Sequence, residues 1–82
     1  MRYREFAAGH VIAPHWHSAN ERLMVIEGAL KVRVGRSVET TLVPGAFAFL
    51  PAKAVQHIAC DKQSRCAFYL GWDAKPDTHR AE

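Results

Sequence analysis

The sequence predicts an all-β domain, a sandwich or a barrel, on two observations. No stretch repeats apolar side chains at the three- and four-residue spacing of an amphipathic helix, with a cap before it and a glycine after it. Short runs of β-type composition appear instead, and glycine or proline separates many of them. The eight predicted strands are 2–8, 11–17, 22–27, 29–34, 37–43, 45–50, 55–60 and 66–72.

Turn residues support this division of the chain. Gly28 separates the third run from the fourth, and Pro44-Gly45 separates the fifth from the sixth. Gly35-Arg36 lies between two alternating segments and predicts a hairpin, because glycine tolerates the positive φ that such turns require. The polar tail, residues 73–82, is predicted to cover a sheet edge or to fray.

Length and composition predict one small globular domain over residues 1–82. A chain of 82 residues buries only about 60 to 65% of its unfolded surface, so a bound metal or a second subunit would help it to fold. The hydrophobic content of 49% argues against a disordered chain. The longest apolar runs, 23–26 and 46–50, are too short to span a bilayer, and no signal peptide is visible, so we expect a cytoplasmic protein without a membrane partner.

The basic residues form no block, although the net charge is +3. Lys31 and Arg33 share one face of their predicted strand, while Leu30, Val32 and Val34 take the other face. This pattern favours a half-buried strand with a solvated outer side over a nucleic-acid or anionic-ligand surface. We therefore expect no nucleic-acid partner.

The third predicted strand is apolar on both faces. If Leu23 and Val25 point inward, Met24 and Ile26 point to the opposite side. A strand of this kind should be covered on both faces, and in so short a chain the second cover is expected to be another subunit. The sequence thus predicts a homodimer.

Cys60 and Cys66 are the only cysteines, and their spacing fits neither a redox motif nor a usual zinc-finger pair. Buried thiols are the favoured interpretation, because reducing compartments disfavour disulfides. A disulfide becomes geometrically possible if residues 61–65 form a hairpin loop.

His15, His17 and Glu21 form the strongest candidate site. Residues two apart on a strand point to the same side, so both imidazoles can enter a barrel, and Glu21 begins the next strand close to them. His57, on a later strand, would complete a set of three imidazoles and one carboxylate. Each residue alone is more often structural, but together they predict a metal site. Such ligands suit one divalent ion of zinc, iron, manganese, nickel or copper.

The run from Gly9 to Gly28 resembles the first motif of the cupins. That motif reads glycine, five residues, His-x-His, three or four residues, glutamate, six residues, glycine, and every specified position matches. The second motif matches at Gly45 and Pro51 but departs afterwards: Lys53 replaces the usual glycine and His57 comes one residue late. In addition, Asp61 replaces the usual asparagine.

The chain also resembles small single-domain cupins akin to the zinc-binding cupin part of an anti-sigma factor. The matching segments are 14–17, 49–52 and Gly71-Trp72. The resemblance implies a double-stranded β-helix, or jelly roll, of about eight short antiparallel strands, with the metal inside one open end.

The sequence is compatible with two functions, because proteins with the cupin fold have many different activities. One is a metalloenzyme, resembling a dioxygenase or an isomerase, that acts on a small oxygen-rich molecule, with Glu21 as a candidate base. The alternative is a metal-dependent domain that binds or senses a small ligand without turnover. The candidates for the pocket wall are Phe47, Phe49, Val55, Phe68 and Tyr69, and which of them face inward stays open.

Overall fold

A computed structural model of the protein describes residues 1–81 and is built entirely from β-strands and loops. This part of the chain contains no helix that could cross a membrane. The strands are β1 (Arg2–Phe6), β2 (Val11–Trp16), β3 (Glu21–Glu27), β4 (Leu30–Val34), β5 (Thr40–Leu42), β6 (Phe47–Leu50), β7 (Gln56–Cys60), β8 (Cys66–Trp72) and β9 (His79–Arg80).

The strands form two antiparallel sheets that share one core. The four-stranded sheet has the order β1-β8-β3-β6, and the five-stranded sheet has the order β5-β4-β7-β2-β9. A single apolar cluster joins the sheets, with members such as Leu23 and Phe68 from the first and Leu30 and Ile58 from the second. The all-β jelly roll expected from the sequence is therefore confirmed.

Each predicted strand is present, and several are shorter at their ends than the sequence predicted. The tail covers an edge as expected, because β9 pairs with β2 at the border of the five-stranded sheet. Glu82, the last residue of the predicted tail, lies outside the described residues.

Strand β3 alternates as the sequence predicted. Leu23 and Val25 are buried, whereas Met24 and Ile26 are 38% and 42% exposed. Met24 pairs with Phe47 of β6, which is exposed on the same outer face. A second subunit on this face stays a prediction.

Gly28 shows why one turn residue cannot carry a side chain. Its φ of 82° lies in the left-handed region. A Cβ built there would also collide with the backbone carbonyl of Arg65, which belongs to the loop between β7 and β8. The glycine therefore allows the β3–β4 turn and this loop to pack directly on each other.

Cys60 and Cys66 form a disulfide, with Cα atoms 5.9 Å apart, which corrects the expectation of buried free thiols. Cys60 ends β7 in one sheet and Cys66 begins β8 in the other. The intervening loop passes from sheet to sheet, so the two sulfurs meet inside the core. The disulfide considered from the sequence thus forms, but residues 61–65 are not a hairpin loop, because the strands they join belong to different sheets.

Reduction of this disulfide is expected to lower the free energy of unfolding by about 2 kcal/mol, because the bond closes a short loop in the unfolded chain. For a domain of this size the loss corresponds to a Tm lower by roughly 10 °C. Thermal unfolding with and without a phosphine reductant measures the shift. The reductant should leave a Cys60→Ala/Cys66→Ala variant unchanged, and free thiols in the untreated protein would contradict the expectation.

Candidate metal centre

A cavity of about 520 Å³ lies between the two sheets, within the range of small-molecule sites. Buried apolar side chains of both sheets, including Phe6, Ile58 and Phe68, form part of its wall. Phe68 rather than Tyr69 therefore faces inward. The polar groups His15, His17 and Glu21 enter the same cavity, so the structure brings together the three residues of the first motif.

His15 reaches the cavity because β2 contains an irregularity. The pairing of β2 with β7 shifts between Ile12 and His15, as in a β-bulge. On a regular strand these residues, three apart, would point to opposite faces, yet both line the cavity. Pro14 lies inside the shift, where its missing N–H breaks no regular ladder.

Backbone carbonyls hold the Nδ1 atoms of both histidines. Nδ1 of His15 lies 3.0 Å from the carbonyl oxygen of Ala13, and Nδ1 of His17 contacts the carbonyl oxygen of Asp77. A carbonyl only accepts hydrogen bonds, so each Nδ1 carries a proton, and in the neutral ring this tautomer leaves the lone pair on Nε2. This is the arrangement that metal-binding histidines commonly show.

Glu21 is buried beside these rings. Its carboxylate Oε1 lies 3.6 Å from Nε2 of His17 and accepts a hydrogen bond of 2.7 Å from Nε2 of Gln56. Burial raises the pKa of Glu21 above its ordinary value, and the Gln56 hydrogen bond and the two histidines offset only part of the rise. A buried carboxylate of this kind favours a nearby cation.

The structure does not bring His57 to the cavity. β7 pairs with β4 without interruption, so His57 points to the face opposite Gln56, and the Arg33 guanidinium donates to its Nε2 over 3.2 Å. Gln56 enters the cavity in its place. The late histidine of the second motif is thus one residue out of phase with the cavity, which is the physical reason that the structure brings together three of the four predicted ligands.

Gln56 is a site residue that the four-residue ligand set predicted from the sequence does not include. Its side chain is 1% exposed, and its Oε1 has no hydrogen-bond partner among the described residues. Counting back by twos from Cys60 through Ile58 places position 56 on the inner face. That alternation was the signal in the sequence that pointed to it.

The C-terminal tail lies against the site, although the sequence predicted only an edge cover. The Asp77 carboxylate accepts a hydrogen bond of 2.8 Å from the Ser18 N–H. This contact, with weaker help from His79, lowers the pKa of Asp77 to about 2. The His79 ring stacks on Trp16 at 4.0 Å. The tail thus fixes the His17 side chain through the Asp77 carbonyl.

The imidazole and carboxylate groups of the site are of the type that binds a divalent metal, but they do not lie close enough together to coordinate one. The rings of His15 and His17 stand edge to face with centroids 4.9 Å apart. Within residues 1–81, no three His, Cys, Asp or Glu side chains are placed so that they could hold an ion as they stand. An ion would have to pull His15, His17 and Glu21 closer, with the unpartnered Gln56 amide oxygen as a neighbouring donor.

The sequence model of the cupin domain family matches residues 2–72. No curated protein sequence matches the chain.

Solved structures share the fold at low sequence identity. A chain from the crystal structures of the DMSP lyases RdDddP and RnDddQII aligns over 98% of this chain and 42% of its own length, with a TM-score of 0.87 and 18% identity. An oxalate oxidase aligns over 95% of this chain and 43% of its own, with a TM-score of 0.87 and 20% identity.

A sugar phosphate isomerase of the cupin superfamily from Silicibacter pomeroyi aligns over 98% of this chain and 54% of its own, with a TM-score of 0.78 and 22% identity. The chain spans about half the length of these proteins or less. At such identities the likeness describes the fold alone.

Proposed function

This chain belongs to the cupin family, and from that premise we propose that it binds one divalent transition metal ion through His15, His17 and Glu21. The ion would be zinc, iron, manganese, nickel or copper, and the loaded site would act on a small oxygen-rich molecule. The observation that carries the proposal is the state of the two histidines, whose Nδ1 atoms both meet backbone carbonyls. Both Nε2 lone pairs are thereby left for a ligand.

The buried environment of Glu21 supports the same proposal. The Glu21 carboxylate is 2% exposed, and no lysine or arginine of residues 1–81 forms an ion pair with it, so no cationic side chain in direct contact balances its charge. A bound cation supplies that balance directly. The bound ion would act as a Lewis acid or as an oxygen-activating centre.

Other residues around the site would exclude water, bind the ligand and hold the histidine rings in position. Apolar residues such as Phe68 and Ile58 keep water away from one side of the cavity. The Gln56 amide holds one oxygen of Glu21 and offers its own oxygen to a ligand or an ion. The tail carbonyl of Asp77 keeps the His17 ring in one tautomer.

One contact favours a second candidate function, a domain that binds or senses a small ligand without turnover. Gln56 donates to Glu21 at 2.7 Å, and this hydrogen bond engages the one carboxylate that the described part of the chain contributes to the cavity. Glu21 is therefore poorly placed to leave an ion and serve as a general base.

Elemental analysis tests the shared premise on protein purified without chelator or nickel resin. We expect about one equivalent of a divalent transition metal per chain, or uptake of one equivalent by the metal-free protein in calorimetry. Protein that contains no metal after purification and does not bind added zinc, iron, manganese, nickel or copper would contradict both functions. Oxygen consumption by the iron-loaded protein with a panel of diols and diketones supports the enzyme, whereas metal that only raises the Tm supports the binding domain.

A further inference from the structure

Three arginines that are far apart in the sequence line one cavity. Arg2 and Arg4 lie on β1, and Arg80 lies on β9. β1 is an edge strand of the four-stranded sheet, and β9 is an edge strand of the five-stranded sheet. The fold therefore gathers basic residues, which look scattered along the chain, at the border of the cavity from both sheets.

The strand register shows that two of these arginines take inner-face positions. Arg2 pairs with Leu70 and Arg4 pairs with Phe68, and both partners are buried. Directly opposed residues of antiparallel strands point to the same face. Tyr3, between the arginines, is on the outer face and is 45% exposed. Positions 2 and 4 thus carry cations where alternation predicts apolar side chains.

These arginines have no acidic partner in the described part of the chain. None of the ion pairs within residues 1–81 includes Arg2, Arg4 or Arg80. Arg22 and Arg65, on the outer surface, do form ion pairs with carboxylates. Within residues 1–81 the three cavity arginines thus have no protein counter-charge, in contrast to Arg22 and Arg65.

The cavity carries an excess of positive charge. Among residues 1–81, Glu21 is the only acidic residue that lines it, and this side chain is buried and already hydrogen-bonded to Gln56. The Arg2 guanidinium lies over the Trp72 ring at 5.4 Å, which fixes its stem against the wall. Charges of one sign on low-dielectric walls concentrate the opposite ion in a cleft.

We propose that the cavity takes a small anionic molecule whose carboxylate or phosphate group is held by Arg2, Arg4 and Arg80. The proposal rests on the proposed function, since it names the chemical class of molecule that would reach the metal-facing residues. Guanidinium groups match the geometry of both anions with paired N–H donors. A cavity of about 520 Å³ accommodates a molecule that spans from these arginines to the histidines.

Protection of the sheet edge is a competing explanation for Arg2 and Arg4. Inward-pointing charges on an edge strand discourage pairing with other chains. That role requires no ligand and predicts no coupling to Arg80, which comes from the other sheet. The two explanations are separated by whether all three arginines contribute to binding the same anion.

The test is an NMR titration of the full metal-free chain at fixed ionic strength with succinate, inorganic phosphate and butane-1,4-diol. Either anion should bind, and the uncharged diol should not. Arg2→Met, Arg4→Met and Arg80→Met should each raise the Kd roughly tenfold or more, since each removes a charged hydrogen-bond donor. The control, Arg36→Met, removes an exposed arginine from the turn before β5 and should leave the Kd unchanged.

The stronger of the two anions identifies the class of ligand as carboxylate or phosphate. Failure of both anions to bind, equal binding of the diol, or wild-type Kd values in the three cavity variants would overturn the inference. A zinc titration separates this failure from that of the proposed function. If the chain binds no zinc but binds the anion only when the arginines are present, only the metal proposal is contradicted. If the chain binds zinc but the three arginine variants bind the anion as well as wild type does, only the anion proposal is contradicted.

Discussion

Replacing Gln56 by histidine is expected to tighten the binding of zinc roughly tenfold or more, because even residues behind the ligands commonly change metal affinity by 10- to 100-fold. The Gln56 side chain already lies in the cavity beside Glu21. An imidazole there adds a nitrogen donor that binds borderline divalent ions better than an amide oxygen does. Calorimetric titration of the metal-free Gln56→His variant measures the gain.

The adjacent position supplies the matched control. His57→Ala removes a real imidazole, but one that points out of the cavity toward Arg33, so zinc affinity should not change. A variant that lost affinity at position 57, together with a Gln56→His variant that gained none, would show that the functional site uses the opposite face of β7.

Glu21→Gln is expected to have opposite effects on metal binding and on the stability of the metal-free protein. Zinc affinity should fall on the order of a hundredfold or more, since the carboxylate of the proposed ligand set is lost. Without metal, the Tm should rise, because a neutral amide avoids the penalty of a buried charge. The glutamine can still accept from Gln56 and can donate to His17, so the packing is preserved.

The rise in stability should depend on pH in a defined direction. The pKa of Glu21 is raised on folding by burial, so the folded chain binds this proton more tightly than the unfolded chain. The stabilising contribution of the protonated acid is present below its ordinary pKa of 4.5 and is lost as the pH rises through the raised value. In the presence of a chelator, the Tm gap between Glu21→Gln and wild type should therefore widen from acid to neutral pH. A gap that is constant or narrows contradicts this account of Glu21.

The strands and the first motif could be predicted because both depend on local patterns. Alternating burial in β3 follows directly from Leu23, Met24, Val25 and Ile26, and the identification of all eight strands needed no long-range information. The assembly of His15, His17 and Glu21 in one cavity also followed from their spacing. What these patterns share is that each is carried by neighbouring residues.

The features that could not be predicted from the sequence depend on strand register and on contacts between distant segments. Whether Gln56 or His57 faces the cavity depends on the strand register, which a shift of one residue reverses. The second motif carries one extra residue, so the search for a histidine pointed to His57, whereas the inner face of β7 carries Gln56. β9 is only two residues long and gains its pairing from β2, far away in the chain. The disulfide required knowledge that the loop after Cys60 crosses between sheets.

The irregularity in β2 gives the cavity a property that a regular strand would lack. Every β-strand has a parity, odd residues on one face and even residues on the other, and an uninterrupted strand commits all of its residues to that parity. The shift between Ile12 and His15 reverses this alternation within a single strand. Ile12 and His15, an even and an odd position, therefore both face the cavity. β7 has no such reversal, and His57 accordingly stays outside. Loss of one residue from the shift would turn His15 outward and leave His57 on the outer face of β7, although no ligand residue in the sequence changes.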